Sequence, residues 1–289
     1  MPAHPPASNP FRLLLAGALL LGLSGCGHLF LVPMQRLVLS PDELGLDFEN
    51  VFIDSSDGVR LYGWFLPAEG PARGTILFLH GNAENISTHI GSVYWLPERG
   101  YNVLLVDYRG YGASTGTATL HGAIDDSRAA LRWLLARPDI DHERIVVLGQ
   151  SLGGALGAYA IGASELKSRI RVLILDSSFG SYRHIAREKL AMFWLTWPLQ
   201  YPLSWTLPEE LSPENVIADI SPTPILFIHG VNDAIIPLHH AQRLYDAAQT
   251  PKSLWIIPDS GHIAALQHPE VRDRLITYLD ELMGPPPER

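Results

Sequence analysis

A serine stands between glycines in Gly149-Gln150-Ser151-Leu152-Gly153, where the apolar run 145–148 gives way to small residues. A serine hydroxyl is a poor nucleophile at neutral pH. Using it requires a base to take its proton and an acid to orient that base. Between a strand and a helix, G-x-S-x-G has a mechanical meaning: the serine occupies a tight, strained turn, and bulky neighbours would collide with the adjoining strand and helix. Acid and base should then follow in chain order, each in a loop after a later strand. "FIHGVNDAIIP" supplies Asp233 past one apolar run, and "WIIPDSGH" supplies His262 past the next. The last requirement is a pair of backbone N–H groups facing the charge that develops on a substrate carbonyl oxygen. Leu152, directly after the serine, provides one donor, and Asn82 in "LFLHGNAEN" (77–85) provides the other.

Each assignment has rivals. Asp176, closing "LILD", is the alternative acid, one strand earlier; His-Gly-x-x-Asp followed by Ile-Pro favours Asp233. Asp259 lies too close to His262 and reads as a turn residue. His80 and His229 each precede a glycine at a strand end and read as packing or turn residues. His239 and His240 follow Pro237 and read as solvated or helix-start residues, as do His121 and His268 near their own helix starts. There is no His-Glu-x-x-His and no Cys/His zinc spacing, so no metal is expected, with a site built from scattered His and Asp left open.

The elements that must position these residues follow from hydrophobic patterning. Alternating apolar residues on either side of Asp57-Gly58 predict a β-hairpin. Short, nearly continuous apolar runs at 74–81, 101–110, 144–151, 171–178, 223–230 and 253–262 predict strands buried on both faces of a parallel sheet. Helical spacing at 119–137, 238–249 and 268–283 places helices between or after them. The alternation implies βαβ units in one α/β domain, here 46–283. An insert at about 180–220 interrupts it; "MFWLTWPLQYPLSWTLP" within the insert is dense in aromatics and proline.

The N-terminus reads as an address. Residues 13–23 are uninterrupted apolar and follow Arg12, the size of a signal-peptide core and too short alone to span a bilayer. They end in Leu-Ser-Gly-Cys, which resembles a bacterial lipobox with Cys26, the chain's single cysteine, as the acylated residue. This divides the chain into a signal peptide (1–25), a lipid-anchored tether (26–45), the catalytic domain, and an unstructured tail (284–289). An uncleaved helical anchor over 13–33 is the alternative. Gly27, rather than aspartate, after the cysteine points to the outer membrane, with the domain facing the periplasm. The net charge of −9 argues against nucleic acid as a partner.

Taken together, "HGNAEN", "DYRGYGASTG", "GQSLGG", "HGVNDAIIP" and the Gly261-His262 pair resemble the serine α/β-hydrolases, within their lysophospholipase-like and depalmitoylase-like branch. The resemblance covers about residues 50–283. It implies the α/β-hydrolase fold: a mostly parallel sheet with helices on both faces, and a small helical cap over the site formed by the insert. It also implies a Ser-Asp-His triad and no cofactor, with Asp107 and Arg109 in structural roles. A serine nucleophile suits acyl transfer to water, so the expected substrate is a carboxylic ester or thioester. The anchor and apolar cap point to lipid-like acyl groups, with Phe193, Trp194, Trp197, Tyr201 and Trp205 lining an acyl pocket, resting at a bilayer interface, or packing the cap. A serine peptidase of the same fold and a non-catalytic envelope lipoprotein are the rival classes.

Overall fold

The apolar runs become strands because both faces of the sheet's central strands are covered. In the computed structural model, which describes residues 30–284, the order is β1 (Val32–Pro33), β2 (Glu49–Asp54), β3 (Arg60–Leu66), β4 (Gly74–Leu79), β5 (Ala83–Glu84), α1 (Ile86–His89), β6 (Tyr101–Val106), α2 (Leu120–Ala136), β7 (Ile145–Gln150), α3 (Leu152–Gly162), β8 (Val172–Asp176), α4 (Tyr182–Ala191), α5 (Gln200–Ser204), β9 (Ile225–Gly230), α6 (Leu238–Ala247), β10 (Lys252–Ile257) and α7 (Pro269–Met283). Eight strands form one sheet in the order β10-β9-β8-β7-β4-β6-β3-β2. The hairpin β2–β3 and the pair β3–β6 are antiparallel; every other pairing is parallel.

Strand side chains alternate between faces. Leu77, Leu79, Val147, Leu173 and Phe227 pack toward a layer that includes Leu131 of α2, Leu156 of α3 and Leu244 of α6. Their neighbours Ile76, Phe78, Val146, Ile174 and Leu226 pack toward Ile86 of α1 and Leu275 and Leu279 of α7. Full burial of one such side chain contributes roughly 1.5–3 kcal/mol, so two-sided burial, more than intrinsic strand preference, holds the sheet. The expected α/β-hydrolase architecture is therefore present. At the hairpin, Asp57 and Gly58 both take left-handed backbone angles (φ 60° and 71°). Helix α2 starts on the Thr119 hydroxyl, which accepts the Gly122 N–H at 3.1 Å, and it ends before Pro138.

The insert folds as α4, α5 and several single turns. Its middle is unusually apolar at the surface: Met192, Phe193, Trp194, Leu195, Trp197 and Trp205 are 59–86% exposed. Residues 30–38, placed in the tether by the sequence reading, lie along the loop after β4. There β1 pairs in parallel with β5, Asn85 Nδ2 donates to the Met34 and Arg36 carbonyls at 2.9 and 2.8 Å, and Val38 N–H donates to Ser87 Oγ at 2.9 Å. Among the described residues no helix is long and apolar enough to cross a membrane. The signal peptide with Cys26, and the tail beyond Gly284, lie outside the described residues.

Candidate active site

Strand β7 hands the chain to α3 through a single residue. Ser151 has φ 52° and ψ −115°, a conformation that costs a β-carbon-bearing residue on the order of 1–3 kcal/mol and persists only where its surroundings enforce it. Two backbone bonds do so: Ser151 N–H donates to the Asp176 carbonyl at 2.9 Å, and Ser178 Oγ donates to the Ser151 carbonyl at 2.9 Å. The flanking glycines are required by space. A Cβ on Gly149 would sit 2.5 Å from the Gly153 carbonyl oxygen, and one on Gly153 would sit 2.1 Å from that of Leu79. Strand, elbow and helix can approach this closely only without those side chains.

The candidate acid comes from the loop after β9. Asp233 is buried, and its Oδ1 accepts two backbone N–H groups, Ile235 at 2.9 Å and Ile236 at 2.7 Å. Its Oδ2 faces His262 Nδ1 at 2.8 Å. Burial works against its charge, but the bonds from His262 and the Ile236 N–H outweigh it and hold the carboxyl below its ordinary range. His229, buried beneath the loop, points Nε2 at the Ile236 carbonyl at 2.7 Å. Burial pushes its pKa down, so it braces the loop as a neutral donor. This is the packing role expected from its place before a glycine.

His262 arrives from the turn after β10. The next residue, Ile263, has φ 49°, and its N–H donates to Ser177 Oγ at 3.1 Å. Ser177 follows Asp176, whose carbonyl holds the serine elbow. Base loop and nucleophile elbow are thus tied to the end of the same strand, β8. Among the described residues no hydrogen bond joins Ser151 Oγ to His262 Nε2, and neither atom bonds to any third group; the His262 side chain is held through Nδ1 alone.

Asp176 stands elsewhere. It is fully buried, its Oδ2 accepts Gln150 Nε2 at 2.8 Å, and Ser177 Oγ lies 3.3 Å from its Oδ1; no hydrogen bond joins it to His262. Burial raises its pKa to about 6, against the opposing bond from Gln150. A carboxyl raised on folding binds more protons folded than unfolded, so it destabilises the protein above that pKa, and the penalty fades as the pH falls through about 6 toward 4. Asp176→Asn should therefore stabilise the protein at pH 8 by on the order of 2 kcal/mol. The gain should shrink toward zero near pH 4. Urea unfolding at the two pH values checks this, and an equal effect at both would contradict it.

The loop after β4 approaches the serine from the other side. A Cβ on Gly81 would lie 3.7 Å from Ser151 Cβ. The backbone N–H groups of Asn82 and of Leu152, the first residue of α3, have no partner among the described residues. The Asn82 side chain is committed elsewhere: Nδ2 donates to the Phe30 carbonyl at 2.6 Å, and Oδ1 accepts Val32 N–H at 3.1 Å. Only its backbone can serve. Tyr111 OH donates to the Asn82 carbonyl at 2.8 Å, and His89 Nε2 lies 3.1 Å from the Ala83 carbonyl.

Sequence reasoning did not single out Phe30, His89, Tyr111 or Ser177. The contacts of Phe30, Tyr111 and Ser177 join segments far apart in the chain, while His89 reaches back only to Ala83; the position of Tyr111 inside "DYRGYGASTG" offered a hint. Asp107 and Arg109 of that stretch are buried: Asp107 accepts the Ile86 N–H at 2.9 Å, and Arg109 pairs with Asp126 at 2.7 Å.

A strand-to-helix elbow bearing serine, with a histidine–carboxylate pair at the ends of the next strands, is the arrangement of an α/β-hydrolase. A family model described as the alpha/beta hydrolase fold matches residues 74–191. The chain is 41% identical over 244 residues to the uncharacterized protein YfhR of Escherichia coli strain K12, covering 82% of each chain. It is 36% identical over 233 residues to the alpha/beta hydrolase domain-containing protein WAV2 of Arabidopsis thaliana, covering 77% of this chain and 74% of that one. The esterase PF2001 of Pyrococcus furiosus superposes with a TM-score of 0.72 at 23% identity, covering 88% of this chain and 99% of that one. The chain belongs to the α/β-hydrolase fold family.

Proposed function

We propose that the protein is a serine hydrolase that cleaves carboxylic esters or thioesters with lipid-like acyl chains. The observation that carries this reading is the His262 Nδ1–Asp233 Oδ2 contact of 2.8 Å, with the other carboxylate oxygen clamped by two backbone N–H groups. This fixes the proton on Nδ1 and leaves Nε2 as the base. Ser151 Oγ attacks the acyl carbon as His262 Nε2 takes its proton. The amides of Asn82 and Leu152 receive the oxyanion. Collapse expels the alcohol or thiol with the proton from His262, leaving an acyl-Ser151 ester. Water, deprotonated by the same nitrogen, then releases the acid. A fluorophosphonate probe tests this: it should label Ser151 of the full chain, as mapped by mass spectrometry, and leave Ser151→Ala unlabelled. No labelling of the folded protein would count against the mechanism.

The acyl preference rests on the cap. An apolar pocket of about 280 Å³ lies between Phe30, Ile185, Leu190, Leu203 and Leu207, of a size and lining suited to a hydrocarbon chain. Residues 190–208 carry no charged side chain, and their exposed tryptophans are of the type favoured at the bilayer interface. Phe30, the first described residue, forms part of the wall of the same pocket, four positions after Cys26 in sequence. We therefore propose that this face lies against the membrane to which acylated Cys26 tethers the mature chain, in the cell envelope. Hydrolysis rates for acetyl through dodecanoyl esters should rise with chain length, and rise further when substrate is presented in vesicles. The mature N-terminus should be lipid-modified Cys26. Activity that peaks at acetyl would sink the acyl reading, and an intact Met1 would sink the lipid anchor.

A further inference from the structure

Four side chains of one cluster remain outside this chemistry. Helix α4 carries His184 and Glu188 one turn apart, on one face. Helix α6 brings His239 and His240 against them at its first turn. His184 Nε2 lies 3.0 Å and His239 Nε2 2.8 Å from the same oxygen, Glu188 Oε1. His240 Nε2 lies 3.0 Å from the other oxygen, Oε2. The potential ligand atoms of His184, Glu188 and His239 all fall within 4.8 Å of one another. In a tetrahedral zinc site the ligands, each about 2.0–2.2 Å from the ion, stand roughly 3.3–3.5 Å apart. Both imidazole nitrogens already stand 2.8–3.0 Å from Glu188 Oε1, close to the separation that two ligands of one ion require.

We propose that His184, Glu188 and His239 form a binding site for a divalent cation of the zinc class, joining the cap helix α4 to α6. Two imidazoles and a carboxylate are a donor set suited to Zn²⁺, with a fourth position left for water. His240 stands outside the three converging donors; its buried ring donates to Glu188 Oε2 and holds the carboxylate in orientation, as outer partners of metal ligands do. To ligate through Nε2, each of the two histidines must present that nitrogen without its proton.

Arg243 opposes this arrangement. Its Nη1 lies 2.9 Å from His184 Nδ1. Arginine only donates, so that nitrogen accepts while Nε2 carries the proton. Cation binding reverses the tautomer, and Nη1 must then leave. It can do so without losing its main partner, since Arg243 is held by Glu214 through Nε and Nη2 at 2.7 and 2.9 Å.

The consequence is mechanical. Lys189, beside Glu188, donates to the Ala234 carbonyl at 2.9 Å, one residue past Asp233. A cation would fasten the cap helix beside the acid loop and act as a latch, with no part in bond cleavage.

The test is ZnCl₂ titration of the full chain in detergent by calorimetry, with Co²⁺ absorption and thermal unfolding as parallel readouts. One equivalent should bind at micromolar concentration or tighter and raise Tm. Glu188→Gln and His239→Ala should each weaken binding by at least about 30-fold and abolish the rise in Tm. His239 is half-exposed, so its variant should fold even where a change at Glu188 disturbs the cap. Arg243→Ala should bind several-fold tighter, and His121→Ala should behave as the parent. Absence of binding below about 1 mM would overturn the site, as would binding that survives both ligand variants or is weakened by Arg243→Ala.

Discussion

Ser151→Ala should lower kcat on a fatty-acyl p-nitrophenyl ester by about 10⁴–10⁶-fold, the cost of removing a nucleophile from a triad that acts as a unit. The loss should be chemical, not structural. Alanine keeps the β-carbon that the elbow already accommodates, and the bonds from Ser151 N–H to Asp176 and from Ser178 to the Ser151 carbonyl are backbone contacts that survive. The Ser151 hydroxyl makes no other hydrogen bond among the described residues, so its removal orphans nothing. Tm should stay within a few degrees of the parent. A variant that unfolds in parallel with its loss of activity, or one that retains more than about one part in a hundred of it, would contradict the role assigned to Ser151.

Asp233→Asn should cost about 10⁴-fold in kcat, although it changes one atom. The reason lies in the clamp on Oδ1. Two N–H groups, from Ile235 and Ile236, need an acceptor there, so the asparagine carbonyl must take that place and its NH₂ must face His262. Nδ1 then becomes the acceptor, the imidazole proton moves to Nε2, and the base can no longer accept from serine. Asp176→Asn faces no such constraint and should leave kcat within about tenfold. Measuring both variants at pH 8 decides between the acids: a severe loss for Asp176 with a mild one for Asp233 would reverse the assignment.

Much of this was legible before any coordinate. The parallel strands show in the sequence because two-sided burial demands unbroken apolar runs, and the elbow shows because only glycine fits where Gly153 meets the Leu79 carbonyl. The order serine, aspartate, histidine along the chain follows from strand succession, which is local information. The expectation for His240 needs correction: it does begin a helix, but it is buried, not solvated. A helix-start position does not reveal that a cap helix will close over it.

The sequence by itself therefore determined the sheet, the hairpin, the helices that cover both faces and the few residues able to do acyl chemistry, because each depends on neighbours within about ten positions. Only the tertiary structure decided which carboxylate meets His262. It also decided that the segment 30–38 braces the Asn82 loop and that three histidines from two helices converge on Glu188. Those contacts join residues roughly 30–55 apart in the chain, and such adjacency is set by how strands cross over and loops return, for which no local pattern of residue types codes.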